Sequence, residues 1–244
     1  LRVAICTCLF ITPNMLRVLT TSVKHKQLAS LSSQHLRFSS KYVRWENNVA
    51  ISILDPEMPK APFQHRFTET AMQHFPKYGD KLAVVDGITE ESRTFNDLSN
   101  DVEAVARSLR SMGIGPGDVV GLYTPNHVDF FAAFHGATKI GATVTLLNPL
   151  YTKYEITTQL SGSKAKALIS HSSCFEAAAA AAQDLPLLQH LIQIGDKAPT
   201  GAVAFDDVKK WPQNVERGIV PPTPVNGDDL ACLPYSSGTT GLPK

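Results

Sequence analysis

From about residue 60 onward the chain switches repeatedly between two hydrophobic rhythms, one suited to strands and one to helices. Phe67 to Phe75 reads as a short helix closed by Pro76 and Gly79. Leu82-Ala83-Val84-Val85 and Arg93-Thr94-Phe95 read as strands around a polar turn containing Gly87. Leu98, Val102, Val105, Leu109 and Met112 then recur at steps of 4, 3, 4 and 3, which places them on one helical face that Gly113 ends. Gly115-Pro116-Gly117-Asp118 turns into a strand from Val119 to Tyr123. Val128 to Ile140 is an aromatic-rich helix stopped by Gly141, and Ala142 to Leu147 a buried strand. Thr152-Lys153-Tyr154-Glu155 has the form of a capping box that opens a further helix. Lys166–Ser170 and Leu191–Ile194 are strands, with the alanine run 177–182 as the helix between them. Residues 196–227, rich in Pro and Gly, read as a looping connection, and Leu230 to Tyr235 as a last short apolar strand. This alternation predicts an α/β fold with a mostly parallel, helix-covered sheet.

Composition agrees with a packed core: 43% of the 244 residues are hydrophobic, enough for one large domain or two small ones. The formal charge of +1 conceals an asymmetry. Residues 1–45 carry seven Lys or Arg and no Asp or Glu, which leaves 16 basic against 22 acidic residues in 46–244. A mildly acidic body argues against a nucleic-acid surface, and no apolar run is long enough for a transmembrane segment. The four cysteines, Cys6, Cys8, Cys174 and Cys232, lack both zinc-ligand spacing and a disulfide framework, so they read as reduced structural thiols of an intracellular protein. His65, His74, His127, His135, His171 and His190 also lack metal-ligand spacing and are expected at the surface or in the core. Phe130, Phe131 and Phe134 are expected to pack the core rather than line a substrate pocket.

The basic leader has its own character. Met15 to Lys41 holds five basic residues, eight Ser or Thr and no acid, the composition of a mitochondrial transit peptide. Leu36-Arg37-Phe38-Ser39-Ser40 resembles the arginine-plus-aromatic pattern at which such leaders are cut. Residues 1–14 begin with Leu and read as translated sequence upstream of a start at Met15. The expected organisation is a leader over 1–45, a linker over 46–60 and a folded domain over 61–244.

The chemistry concentrates at 236–244, Ser236-Ser237-Gly238-Thr239-Thr240-Gly241-Leu242-Pro243-Lys244. Gly238 and Gly241 lack a Cβ, so the backbone there can turn successive N–H groups toward one anion. Ser236, Ser237, Thr239 and Thr240 add four hydroxyl donors, and Lys244 a compact positive charge. The common P-loop has four residues between its glycines and Lys-Ser or Lys-Thr directly after the second. Here the glycines stand three apart and Leu-Pro precedes the lysine.

Tyr235 to Lys244 resembles the ATP-phosphate loop of the adenylate-forming (AMP-binding) superfamily, which includes acyl-CoA synthetases, firefly-type luciferases and peptide-synthetase adenylation domains. Ser108-Leu109 through Gly113-Ile-Gly-Pro-Gly-Asp118 to Pro125-Asn126 agrees, as does Gly141 to Ile156 with Asn148-Pro149-Leu-Tyr-Thr152. Asp228-Asp229 followed by Leu233-Pro-Tyr-Ser-Ser-Gly looks closest to 4-coumarate–CoA ligase-like acyl-CoA synthetases. The resemblance, over roughly 60–244, implies the N-terminal part of the large adenylate-forming domain. It implies ATP contacts from Ser236, Ser237, Gly238, Thr239, Thr240, Gly241 and Lys244, with Mg²⁺ arriving on the nucleotide and no metal ligands in the chain. It also implies an acid–CoA ligase that uses a small carboxylic acid, ATP and coenzyme A, in fatty-acid metabolism. The family's adenine and acyl pockets, its acidic ribose contact and its second lysine follow the loop, so catalytic residues are expected beyond Lys244. The 244-residue chain is thus expected to be a truncated front piece, inactive alone. The competing reading is a catalytically inactive nucleotide-binding or interaction protein.

The leader yields one direct test. Residues 15–45 fused to a fluorescent reporter are expected to carry it into mitochondria, and a diffuse or peroxisomal signal in imaged cells would reject that address.

Overall fold

In the computed structural model, residues 67–210 and 229–235 are described in full, together with the backbone of two strands nearer the start. The chain divides into two units, Leu1–Lys60 and Ala61–Lys244. In the first, β1 (Val43–Glu46) and β2 (Val49–Ser52) form an antiparallel hairpin that pairs Glu46 with Val49. These strands fall at the junction read as leader end and linker. Two four-residue runs give a period-2 signal too short to separate from a polar tail.

The second unit opens with α1 (Phe67–Met72) and α2 (Phe75–Tyr78) where one helix was expected. Pro76 does not close a helix but sits in the first turn of α2, where its missing N–H has no carbonyl to serve. The hairpin β3 (Leu82–Val85) and β4 (Ser92–Thr94) follows as the sequence predicts. Phe95 belongs instead to α3 (Phe95–Ser111), whose start is fixed by a reciprocal cap. The Asp97 N–H donates to Thr94 Oγ1 at 3.0 Å, and the Thr94 N–H donates to Asp97 Oδ2 at 2.9 Å. Gly113, at φ +77°, makes the turn out of that helix.

The main sheet holds β5 (Val119–Tyr123), β6 (Thr143–Leu147), β7 (Ala165–His171), β8 (His190–Ile194), β9 (Val203–Ala204) and β10 (Cys232–Leu233). Their order is β10-β6-β5-β7-β8-β9, and every pairing is parallel. Helices α4 (Phe130–Lys139), α5 (Lys153–Ser163) and α6 (Phe175–Ala182) provide the crossovers. Parallel strands need such connections, and covering both faces makes each strand apolar throughout. Val120, Leu122, Ile169, Ile192 and Ile194 pack with α3 and α4 on one face. Tyr123, Leu147, Leu168, Ile156 and Leu160 form the second core with α5 and α6. The α/β, mostly parallel, helix-covered fold is therefore as read.

Three further differences concern boundaries and one missed pair of elements. Helix α4 begins at Phe130 rather than Val128, because the Phe130 N–H closes a turn onto the His127 carbonyl at 3.0 Å. The last strand shrinks to Cys232–Leu233. The span read as a loop contains β9 and α7 (Phe205–Lys209), which pins Phe205 and Val208 into the core. Ser108 Oγ of α3 donates to the Val208 carbonyl at 2.7 Å, tying α7 down.

Helices α3 and α4 approach so closely at Gly136 that an added Cβ would stand 2.5 Å from Val105 Cγ1. The residue before it, His135, is buried against Phe131, at 4.2 Å between ring centroids, and stacks on Phe67 at 5.4 Å. Its Nδ1 lies 3.2 Å from Thr68 Oγ1, which also meets Thr138 Oγ1 at 2.7 Å. Phe130 and Phe134 pack against the core. Among the described residues no helix is long and apolar enough to cross a membrane.

Burial lowers the His135 pKa from 6.5 to about 4. Between those values the unfolded chain binds the proton and the folded one does not, so this contribution is complete above pH 6.5 and is lost as pH falls toward about 4. Urea unfolding from pH 7 to 4 is expected to show this slope, at most about 1.4 kcal/mol per pH unit. His135→Phe should flatten it, and an unchanged slope in that variant would assign it elsewhere.

Candidate functional site

The residues singled out for phosphate contact, Ser236, Ser237, Gly238, Thr239, Thr240, Gly241 and Lys244, lie outside the described residues. What the structure defines is the frame that delivers the chain to them. β10 runs parallel to β6, pairing Cys232 with Val144 and Leu233 with Thr145, so it points its carboxyl end the same way as the other strands of the six-stranded sheet. In open α/β sheets ligands bind at the carboxyl ends of the strands, and the segment after Tyr235 emerges at that edge.

A two-residue ladder is a weak anchor, and β6 supplements it with a backbone bond one residue earlier and with side chains. The Val144 N–H donates to the Ala231 carbonyl at 3.0 Å. Thr143 Oγ1 donates to the Leu230 carbonyl at 2.8 Å, and Thr145 Oγ1 to the Leu233 carbonyl at 3.2 Å. Threonines two apart on a strand share a face, which lets both hydroxyls reach the same neighbour. Thr145 in turn lies 2.8 Å from Gln159 Nε2 on α5. The local sequence predicts β6 only as a buried strand and names no such partner.

The neighbouring loops at this edge are also fixed. Tyr123, the last residue of β5, donates its hydroxyl to the Tyr151 carbonyl at 2.7 Å and holds down the segment after β6. Within that segment the Leu150 N–H donates to Asn148 Oδ1 at 3.0 Å. Helix α5 follows with the capping box read from sequence: the Thr152 N–H donates to Glu155 Oε2 at 2.8 Å.

Beyond β5 the chain meets an ionic knot. Asp129 is buried, and its carboxylate takes Lys209 Nζ at 3.0 Å and Arg93 Nη2 at 3.2 Å. Burial works against charge on Lys209 and Arg93. For Lys209 the Asp129 charge outweighs it, and for Arg93 bonds to Glu91 and Asp129 do, so both cations titrate above their ordinary range. Burial pushes the nearby Asp101 carboxyl upward. His127, in the loop after β5, and His171, the last residue of β7, stand 5.1 Å apart between ring centroids. Burial, then the neighbouring His127, lowers the His171 pKa and favours its neutral form. Cys174 and Cys232 carry free thiols, and burial raises the Cys232 pKa. Among the described residues no cluster of three His, Cys, Asp or Glu side chains could hold a metal ion.

The sequence matches the AMP-binding enzyme family over residues 71–244. The chain belongs to this family. It is 34% identical over 172 residues to 4-coumarate–CoA ligase 1 of Petroselinum crispum, covering 70% of this chain and 30% of that protein. With 4-coumarate–CoA ligase 3 of Arabidopsis thaliana it shares 34% over 171 residues, covering 68% and 28%. The chain thus spans less than a third of the length of these relatives. Among solved structures, an anthranilate CoA ligase in complex with anthranoyl-AMP superposes with a TM-score of 0.66 at 27% identity, over 74% of this chain and 34% of that one. The luciferase-like enzyme of the mealworm Zophobas morio gives 0.65 at 25% identity, over 74% and 42%.

The knot at Asp129 is testable within the family fold. Asp129→Asn leaves Arg93 and Lys209 without their buried counter-charge, and is expected to destabilise the domain by about 3 kcal/mol in urea unfolding. An unchanged midpoint would mean that solvent compensates both cations.

Proposed function

We propose that this chain provides the ATP-phosphate loop of an acid–thiol ligase. The observation that carries the reading is β10, which delivers Tyr235 to the carboxyl edge of a parallel sheet immediately before Ser236-Ser-Gly-Thr-Thr-Gly-Leu-Pro-Lys244. Membership of the AMP-binding family supports it.

In the proposed reaction a carboxylate oxygen attacks the α-phosphorus of ATP. The bond from that phosphorus to the bridging oxygen breaks, pyrophosphate leaves, and an acyl-adenylate remains. The thiol of coenzyme A then attacks the acyl carbon, AMP departs, and a thioester forms. The loop's part is electrostatic and positional. Backbone N–H groups around Gly238 and Gly241, the hydroxyls of Ser236, Ser237, Thr239 and Thr240, and the Lys244 ammonium hold the β- and γ-phosphates while charge builds on pyrophosphate. This donor set suits a polyphosphate and offers no carboxylate for a resident metal, so Mg²⁺ enters as the nucleotide's counter-ion.

The relatives' names point to aromatic acids as the first substrates to try, with fatty acids as the second class. The leader composition supports a mitochondrial enzyme.

In the full-length protein, Thr240→Ala and Lys244→Ala are expected to slow carboxylate-dependent pyrophosphate release roughly ten- to a hundred-fold, the loss of a charged phosphate contact worth about 1.5–3 kcal/mol. The acids to use are 4-coumarate, anthranilate and a medium-chain fatty acid. Unchanged rates in both variants at limiting and saturating ATP would remove the loop from the mechanism.

A further inference from the structure

Gln159 has no place in the reading so far, yet it is 1% exposed and one of its polar atoms lacks a partner. It lies on α5, beneath the carboxyl ends of β6 and β10. Its Nε2 donates to Thr145 Oγ1 at 2.8 Å and to the Leu146 carbonyl at 2.9 Å. A carbonyl can only accept, so this contact fixes which end of the amide is nitrogen. Thr145 Oγ1 receives that proton and passes its own to the Leu233 carbonyl at 3.2 Å. A directed relay therefore runs from α5 through β6 to the strand that opens into the phosphate loop.

A further observation places the same helix face beside Tyr235. The Tyr235 hydroxyl lies 3.7 Å from where a Cβ on Gly162 would stand, and Gly162 follows Gln159 by three residues, on the same side of α5. Among the described residues, Gln159 Oε1 is buried and accepts no hydrogen bond.

We propose that Gln159 is a positioning residue for the phosphate loop. Through Thr145 it fixes the carbonyl of Leu233, and with it the strand end from which the chain continues into 236–244. β10 contributes only two residues to the sheet, so side chains must set where the loop begins. A displacement at that root carries into every N–H aimed at phosphate, and tolerances in such sites are about 0.5 Å.

The proposal rests on the acid–thiol ligase reading, and its test separates the two. Gln159→Met keeps volume and helix propensity while removing the donating amide, and Thr145→Val removes the relay hydroxyl. In the full-length protein each is expected to raise the KM for ATP about five- to twentyfold, with the KM for the carboxylic acid changed less than about twofold. The double variant should be no worse than the poorer single one, as for members of one relay. Without nucleotide, Gln159→Met should speed hydrogen exchange of the amides from Leu233 to Ser237 about tenfold while leaving those of β5 unchanged. An ATP KM and an exchange pattern equal to wild type would overturn the proposal. So would parallel losses for ATP and acid with faster exchange throughout the sheet, the signature of a purely structural residue. If the wild-type protein releases no pyrophosphate with any acid, the ligase reading falls, and the exchange experiment still decides the role of Gln159.

Discussion

A parallel sheet cannot leave either face in water, and nearly every feature of this domain answers that constraint. Strands β5 to β8 carry apolar residues on both sides, so helices must cover both. α3, α4 and α7 take one face, and α5 and α6 the other. Close approach is what makes the covering tight. Gly121 in β5 sits where a side chain would stand 2.7 Å from Leu160 Cδ2 of α5, and Gly136 lets α4 settle against Val105 of α3. The same parallelism gathers every strand's carboxyl end at one edge, where the loops carry the chemistry.

Polar groups drawn into this packing depend on specific neighbours. Asp129 is tolerated in the interior because Arg93 and Lys209 converge on it from β4 and α7. His135 is tolerated because it remains neutral between Phe67 and Phe131. The burial that excludes water around these groups also sharpens their dependence on partners, since a lost bond cannot be replaced by solvent.

Most of the architecture was legible because the signals are local. The steps of Leu98, Val102, Val105, Leu109 and Met112 name α3, and Thr152 with Glu155 marks the start of α5. Helix α7 was not legible, because Phe205 and Val208 make a single turn and only the core they enter gives them meaning. For the candidate site the division is sharper. The glycines, hydroxyls and lysine of 236–244 suggest phosphate chemistry by composition and spacing alone, and they lie outside the described residues. The roles of Thr143, Thr145 and Gln159 depend on a strand that is remote in sequence, so no local pattern could disclose them. The knot around Asp129 is equally non-local, with Arg93 36 and Lys209 80 positions away.

The pairing of β10 with β6 also bears on how the domain is assembled. Thr145 and Leu233 are 88 positions apart, whereas β5, β6 and β7 are joined by single crossovers. Closing a long loop costs entropy before its contacts give anything back, so distant pairings form late. The four central strands can collapse on their helices while β10 is still searching for its edge. The strand that leads into 236–244 is then the last part of this sheet to acquire its shape, and until it docks the β6 edge stands open to the strands of other chains, where aggregation begins.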